Sequence, residues 1–80
     1  MSIAAVNARN QFRGRIREIV EGPVISEVDV QTDGGVVTAT ITTRSIKHLG
    51  LAVGSEVLAL IKSSDVLIAK LRAPDAGATP

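Results

Sequence analysis

Cysteine, tryptophan and tyrosine are absent from this 80-residue sequence, and phenylalanine and histidine occur once each. Without cysteine no disulfide can form. One histidine, His48, and no thiol cannot supply the ligands of a zinc or other soft-metal site, nor a nucleophile with its base. A domain this small often needs disulfides, a metal or oligomerisation for stability. We therefore expect a non-enzymatic protein that is stabilised by self-association.

Long apolar runs and an excess of one charge are also missing. The first residues contain no basic stretch followed by an apolar run, so we expect a cytoplasmic protein that makes no membrane contact. Nine lysines and arginines against eight acidic residues give a formal charge of +1, which is too balanced for a general polyanion binder. Residues 73–80 are mostly small residues and proline, and we expect a disordered tail after one domain that spans residues 1–72.

The first predicted strand carries a basic face. Between Phe12 and Arg17, apolar or small residues alternate with arginines, which is typical of a half-buried strand whose arginines face water. The alternation breaks at Ile19-Val20, where two apolar residues are adjacent. This break predicts a bulge or bend before the turn at Gly22-Pro23.

A hairpin is predicted next. Residues 24–31 alternate between apolar and polar side chains, and Asp33-Gly34-Gly35 is a turn sequence that tolerates positive φ. The return strand, residues 36–43, is rich in β-branched residues and has threonines on one face. This hairpin supplies the second and third strands.

A short helix and two more strands complete the predicted fold. Thr43 or Ser45 can cap a helix that ends at Gly50. Glu56–Ile61 is apolar on both faces, so both faces should be covered, and one cover can be another subunit. After a polar turn, residues 66–69 form a fifth strand. The prediction is an all-β fold, a five-stranded OB-type barrel with one short helix between strands three and four.

Several motifs occur in a consistent order along the chain. The segment Asn7-Ala8-Arg9-Asn10-Gln11-Phe12 leads directly into the first strand, and it is followed by Gly22-Pro23-Val24, Ile41-Thr42-Thr43, Leu49-Gly50-Leu51, Gly54-Ser55-Glu56-Val57 and the stretch from Leu60 to Ile68. These motifs resemble the Mop family, the molbindins. The resemblance implies binding of molybdate or tungstate as the intact oxyanion, for intracellular molybdenum storage, buffering or homeostasis. It also implies a homo-oligomer, usually a hexamer built as three dimers, with anions held between subunits.

The resemblance also implies which side chains contact the anion: Asn7, Arg9, Thr42, Lys62 and Ser63. Asn7 takes the place of a serine found in most relatives and can still donate through its amide. The set contains two charged donors, three neutral donors and no carboxylate, which suits a tetrahedral dianion. Molybdate is fully ionised at neutral pH while phosphate partly keeps a proton. A site made only of donors therefore favours molybdate and tungstate over protonated phosphate.

An alternative function is suggested by the fold and by a stripe of three arginines, Arg13, Arg15 and Arg17. OB-type barrels also bind single-stranded nucleic acid, but they stack bases on aromatic side chains, and Phe12 is the only aromatic residue here. We therefore expect no nucleic-acid partner. We interpret the stripe as a solvated face paired with nearby glutamates, namely Glu18, Glu21 or Glu27.

Overall fold

The computed structural model describes residues 7–73. They form the elements β1 (Asn10–Val20), β2 (Ile25–Thr32), β3 (Gly35–Thr42), α1 (Thr43–Leu49) and β4 (Glu56–Ile61), followed by a single 3-10 turn at Ser63–Asp65. The all-β class is confirmed, as is the short helix between the third and fourth strands. Within these residues no helix is both long enough and apolar enough to cross a membrane.

The four strands form one antiparallel sheet in the order β3-β2-β1-β4. The long β1 pairs through its first half with β4 and through its second half with β2. β3 and β4 are the edge strands, so each has one side whose backbone groups pair with no strand of the described residues. The sheet is therefore open in this chain.

The bend in β1 is a bulge at Arg17. The pairing with β2 shifts by one residue between Ile16 and Glu18, which leaves Arg17 as the extra residue. The predicted position at Ile19-Val20 is wrong. Ile16 is 2% exposed and Ile19 packs against the same core cluster, so the strand changes phase between these two residues, and Val20 is exposed.

The core is small and lies between the sheet and α1. Its buried cluster consists of Ile16, Val28, Val30 and Ile46. The helix ends as predicted at Gly50, which adopts the left-handed conformation with φ 65° and donates to the carbonyl groups of the last turn. Its N-cap is Thr42 and not the predicted Thr43 or Ser45, since the hydroxyl of Thr43 is buried beside that of Ser26 at 2.6 Å.

The predicted fifth strand does not form within this chain. Residues 66–73 follow the 3-10 turn without forming a helix or pairing as a strand, and we name this segment the C-terminal arm. Leu67 and Ile68 are 93% and 90% exposed. A strand needs a partner edge, and the arm meets none here, so the expected five-stranded barrel is a four-stranded open sheet. Of the expected tail, residues 74–80 lie outside the described residues.

Apolar side chains outside the core are numerous. Among residues 7–73, five hydrophobic side chains are buried, whereas twelve large ones are exposed to 39% or more. The exposed ones lie at Phe12 on β1, at the β1–β2 turn, around the end of α1, on the edge strands and along the arm. So much exposed apolar surface is typical of an interface with another molecule.

Candidate oxyanion site

The segment before β1 is held against the end of β4. Ala8 is buried, and its carbonyl oxygen accepts a hydrogen bond from Gln11 Nε2 at 2.8 Å. Asn10 pairs with Ile61 in the ladder, and its Nδ2 donates to the Ile61 carbonyl oxygen at 3.1 Å. These contacts hold the backbone on both sides of Arg9, one of the predicted ligand residues.

Four of the five predicted ligand residues share this corner of the sheet. Asn10 lies opposite Ile61 at the end of the β1–β4 ladder. Arg9 directly precedes Asn10 and Lys62 directly follows Ile61, so the two cations are neighbours across the two strands. Asn7 precedes Arg9 by two residues, and Ser63 begins the 3-10 turn directly after Lys62. All four side chains are exposed. The corner therefore presents two cations and two neutral donors to the surroundings.

The fifth predicted residue, Thr42, lies elsewhere. It is the last residue of β3, at the other edge of the sheet, and pairs with Ile25 near the β1–β2 turn. Asn10 and Val20 are the two ends of β1, which are about 33 Å apart along the strand. One chain therefore does not bring Thr42 to the corner of Arg9 and Lys62.

Thr42 has a neighbour that the sequence did not identify. Its Oγ1 accepts from the Ser45 backbone N–H at 3.1 Å and lies 2.7 Å from Ser45 Oγ. One of the two hydroxyl groups donates to the other, so in either arrangement one hydroxyl hydrogen remains available to an acceptor. The signal was present in the sequence, because a capping residue and the residue three positions later commonly form such a pair.

The charges at the corner are not neutralised by carboxylates of the described chain. Between residues 7 and 73 the ion pairs are Arg15–Glu56 at 3.6 Å and Arg17–Asp29 at 3.8 Å. Arg9 and Lys62 belong to neither pair. Their charges are consequently free to act on an anion.

The same two ion pairs involve two of the three arginines of the stripe. The partners are Glu56 and Asp29 instead of the expected Glu18, Glu21 or Glu27, because Glu56 lies opposite Arg15 in the ladder and Asp29 lies beside the bulge. Two of the three arginines thus have carboxylate partners. A stripe neutralised in this way is a weak track for a polyanion.

Comparison with known proteins agrees with this fold. Residues 7–68 match the TOBE domain. Molybdenum-pterin-binding protein 3 of Clostridium pasteurianum is 42% identical over 65 residues, which is 80% of this chain and 96% of that protein. This chain belongs to the Mop family of TOBE domains. The resemblance inferred from the sequence is therefore confirmed.

Solved structures of molybdate-binding proteins share the fold. A molybdate-binding protein from Sporomusa ovata is similar with a TM-score of 0.79 and 30% identity, over 82% of this chain and 98% of that one. The cytoplasmic molybdate-binding protein ModG, solved with molybdate bound, has a TM-score of 0.75 and 34% identity, over 79% of this chain and 45% of that one. The Mop chain spans 24% of the length of a longer relative, MopB of Rhodobacter capsulatus. These relatives are described as binding proteins and not by a reaction.

Proposed function

We propose that this Mop chain binds molybdate or tungstate as the intact oxyanion and catalyses no reaction. The anion sites are shared between subunits of a cytoplasmic homo-oligomer, a hexamer built as three dimers, which stores, buffers or maintains molybdenum in the cell. The observation that carries the proposal is the separation of Thr42 from Arg9 and Lys62 in a single chain whose fold is shared by molybdate-binding proteins. Each chain offers two incomplete halves of one donor set.

The donor chemistry supports an anion of this kind. Arg9 presents several N–H donors in a planar fork, Lys62 adds a second positive charge, and Asn7 and Ser63 add neutral donors from the same corner. A second subunit contributes Thr42 with Ser45. Charged donors form the stronger hydrogen bonds, so they supply most of the affinity, and the hydroxyl groups complete the shell around the four oxygens.

Selectivity follows from the absence of carboxylates among these side chains. Molybdate and tungstate are dianions of the same shape, so the proposed site accepts both. Phosphate at neutral pH partly carries a proton, and the set contains no carboxylate, the strongest acceptor for it. Sulfate has no proton, and its rejection depends on the size of the assembled cavity.

Titration calorimetry tests the proposal directly. We expect binding of molybdate and tungstate, with phosphate and single-stranded DNA far weaker. Lys62→Ala removes a charged donor and should weaken molybdate binding by about 2–3 kcal/mol, roughly a hundredfold in Kd, and Arg9→Ala should act similarly. Lys47→Ala, an exposed lysine of α1, is the matched control and should leave Kd unchanged.

Two results would contradict the proposal. Lys62→Ala protein that binds molybdate as tightly as the parent, with the same oligomer size by light scattering, would show that the site lies elsewhere. Tight DNA binding without molybdate heat would favour the nucleic-acid alternative.

A further inference from the structure

The β1–β4 ladder ends at the point where a pair of like charges would begin. Asn10 and Ile61 are the last paired residues, and the same antiparallel register would place Arg9 opposite Lys62. Like charges in such positions repel each other, and neither side chain forms an ion pair with a carboxylate of residues 7–73. The two backbones therefore need a constraint other than ladder pairing to remain close together.

The peptide unit that leads into Arg9 is held by a side-chain amide. Gln11 Nε2 donates to the carbonyl oxygen of Ala8 at 2.8 Å, and Ala8 is itself buried. A peptide unit is planar and trans, so a hydrogen bond to its oxygen also sets the direction of the N–H group that follows. This contact therefore restricts the backbone from which the Arg9 side chain extends.

The neighbouring amide holds the other cation in the same way. Asn10 Nδ2 donates at 3.1 Å to the carbonyl oxygen of Ile61, which belongs to the peptide unit that leads into Lys62. The Lys62 carbonyl oxygen in turn accepts from the Asp65 N–H at 2.9 Å in the 3-10 turn. Lys62 is thus held through the peptide unit on each side of it.

We propose that Asn10 and Gln11 are positioning residues of the oxyanion site, whose amides hold Arg9 and Lys62 at a fixed separation before the anion binds. A site whose donors are held in advance loses less conformational entropy on binding, and it contracts less readily around a smaller ion. The amides therefore favour molybdate over the smaller dianion sulfate. This inference rests on the proposed function, because it concerns the same anion site.

Two substitutions that remove an amide without adding charge test this role. Asn10→Leu and Gln11→Met keep the approximate size of each side chain, and calorimetry measures the Kd for molybdate directly and for sulfate by competition. We expect each variant to bind molybdate about three- to tenfold more weakly, the effect of one lost hydrogen bond, with sulfate less affected. The ratio of the two dissociation constants is decisive, because loss of folded protein lowers the number of sites without changing this ratio.

Gln31→Met is the matched control. Gln31 is also a glutamine of a strand whose Nε2 donates to a backbone carbonyl oxygen, that of Thr32 at 3.1 Å. It lies on β2 opposite Arg15 and away from the corner that contains Arg9 and Lys62. We expect this variant to keep the parental molybdate affinity and the parental ratio.

Nuclear magnetic resonance relaxation of the anion-free protein provides a second measurement. Gln11→Met should lower the order parameter of the Arg9 amide and leave that of Lys62 unchanged, whereas Asn10→Leu should do the reverse. This reciprocal pattern would not arise from a general loss of stability, which would affect both amides in both variants.

Either of two results would overturn the inference and leave the proposed function intact. One is a parental ratio of dissociation constants in both variants, while Lys62→Ala still weakens molybdate binding. The other is an unchanged order parameter at the Arg9 and Lys62 amides in both variants. Equal molybdate affinity of Lys62→Ala and the parent would instead refute the anion site itself, and the positioning role with it.

Discussion

Gly14 lies where β1 pairs with both of its neighbours, opposite Thr32 on β2 and Val57 on β4. A Cβ atom built there would overlap the Gln31 carbonyl oxygen and lie 2.9 Å from Val30 Cγ1. The backbone φ of Gly14 is not in the left-handed region. Glycine is thus required here for the close approach of two strands and not for a turn.

Replacement of Gly14 by alanine should therefore destabilise the protein. We expect Gly14→Ala to lower the free energy of unfolding by about 1–3 kcal/mol, because the strands must separate to admit the methyl group. Gly34→Ala is the control, since its Cβ would meet only Thr32 Oγ1 at an ordinary 3.8 Å, and its cost should stay within about 0.5 kcal/mol. Urea unfolding at fixed protein concentration measures both. Equal losses would argue against a steric role for Gly14.

The residues of the proposed site differ in how far the sequence could predict them. Arg9 and Lys62 were predicted through motif resemblance, and the ladder explains why they are neighbours, since Asn10 pairs with Ile61. Ser45 was missed because its closeness to Thr42 depends on where α1 begins. Helix ends are uncertain by a residue or two in any sequence reading, and here that uncertainty concealed a hydroxyl pair.

At the scale of elements, a buried hydroxyl network fixes α1 against the β1–β2 turn. Thr43 Oγ1 donates to the Gly22 carbonyl oxygen at 2.7 Å and lies beside Ser26 Oγ, which accepts from the Gly22 N–H at 3.2 Å. The Thr43 backbone N–H donates to the Val24 carbonyl oxygen at 2.8 Å. The position of Thr42 at the end of β3 therefore depends on a turn that is about twenty residues away in sequence.

Loss of the Thr43 hydroxyl should show how much this network contributes. Thr43→Val keeps the shape of the side chain but removes partners from Ser26 and Gly22, so we expect a loss of about 1–3 kcal/mol in unfolding free energy. Thr40→Val, an exposed threonine of β3, should change it by no more than about 0.5 kcal/mol. Comparable denaturation midpoints for the two variants would mean that the network adds little.

Elements with a strong pattern were predicted closely. The alternation and turn chemistry located the β2–β3 hairpin, the apolar run gave β4 as Glu56–Ile61, and Gly50 marked the end of α1. The fifth strand could not be predicted from its pattern alone. Residues 66–69 have the composition of a strand, but pairing also requires an edge, and the described part of one chain leaves the arm without one.

At the scale of the whole molecule, two features are not completed within a single chain. Its proposed anion donors lie at two corners of the sheet, and its C-terminal arm is uncovered. Sequence analysis predicted an oligomer from small size and the absence of cysteine. It could not predict which residues of different chains meet, because that depends on contacts between copies and not on the order of residues within one.

Mixed oligomers should reveal whether the anion site is shared. Thr42→Asp keeps a good helix cap but places a carboxylate at the proposed site, and Lys62→Ala removes the cation, so neither variant alone should bind molybdate tightly. When the two chains are coexpressed, about a quarter of randomly assembled shared sites combine an intact Thr42 with an intact Lys62. Calorimetry should recover about that fraction of parental binding. No recovery from well-mixed oligomers would place both residues in a site within one chain.

The bulge in β1 separates the length of the strand from its register with β2, two properties that are usually coupled. On both sides of Arg17 the partners run without a gap, with Ile16 opposite Val30 and Glu18 opposite Asp29. Arg17 is thus a residue of β1 whose deletion would leave every remaining β1–β2 pair in register, while it would remove the local twist that a bulge adds. A change of chain length at this one point would alter the curvature of the sheet, and with it the distance between the two edge strands, without moving a single core residue to the wrong face.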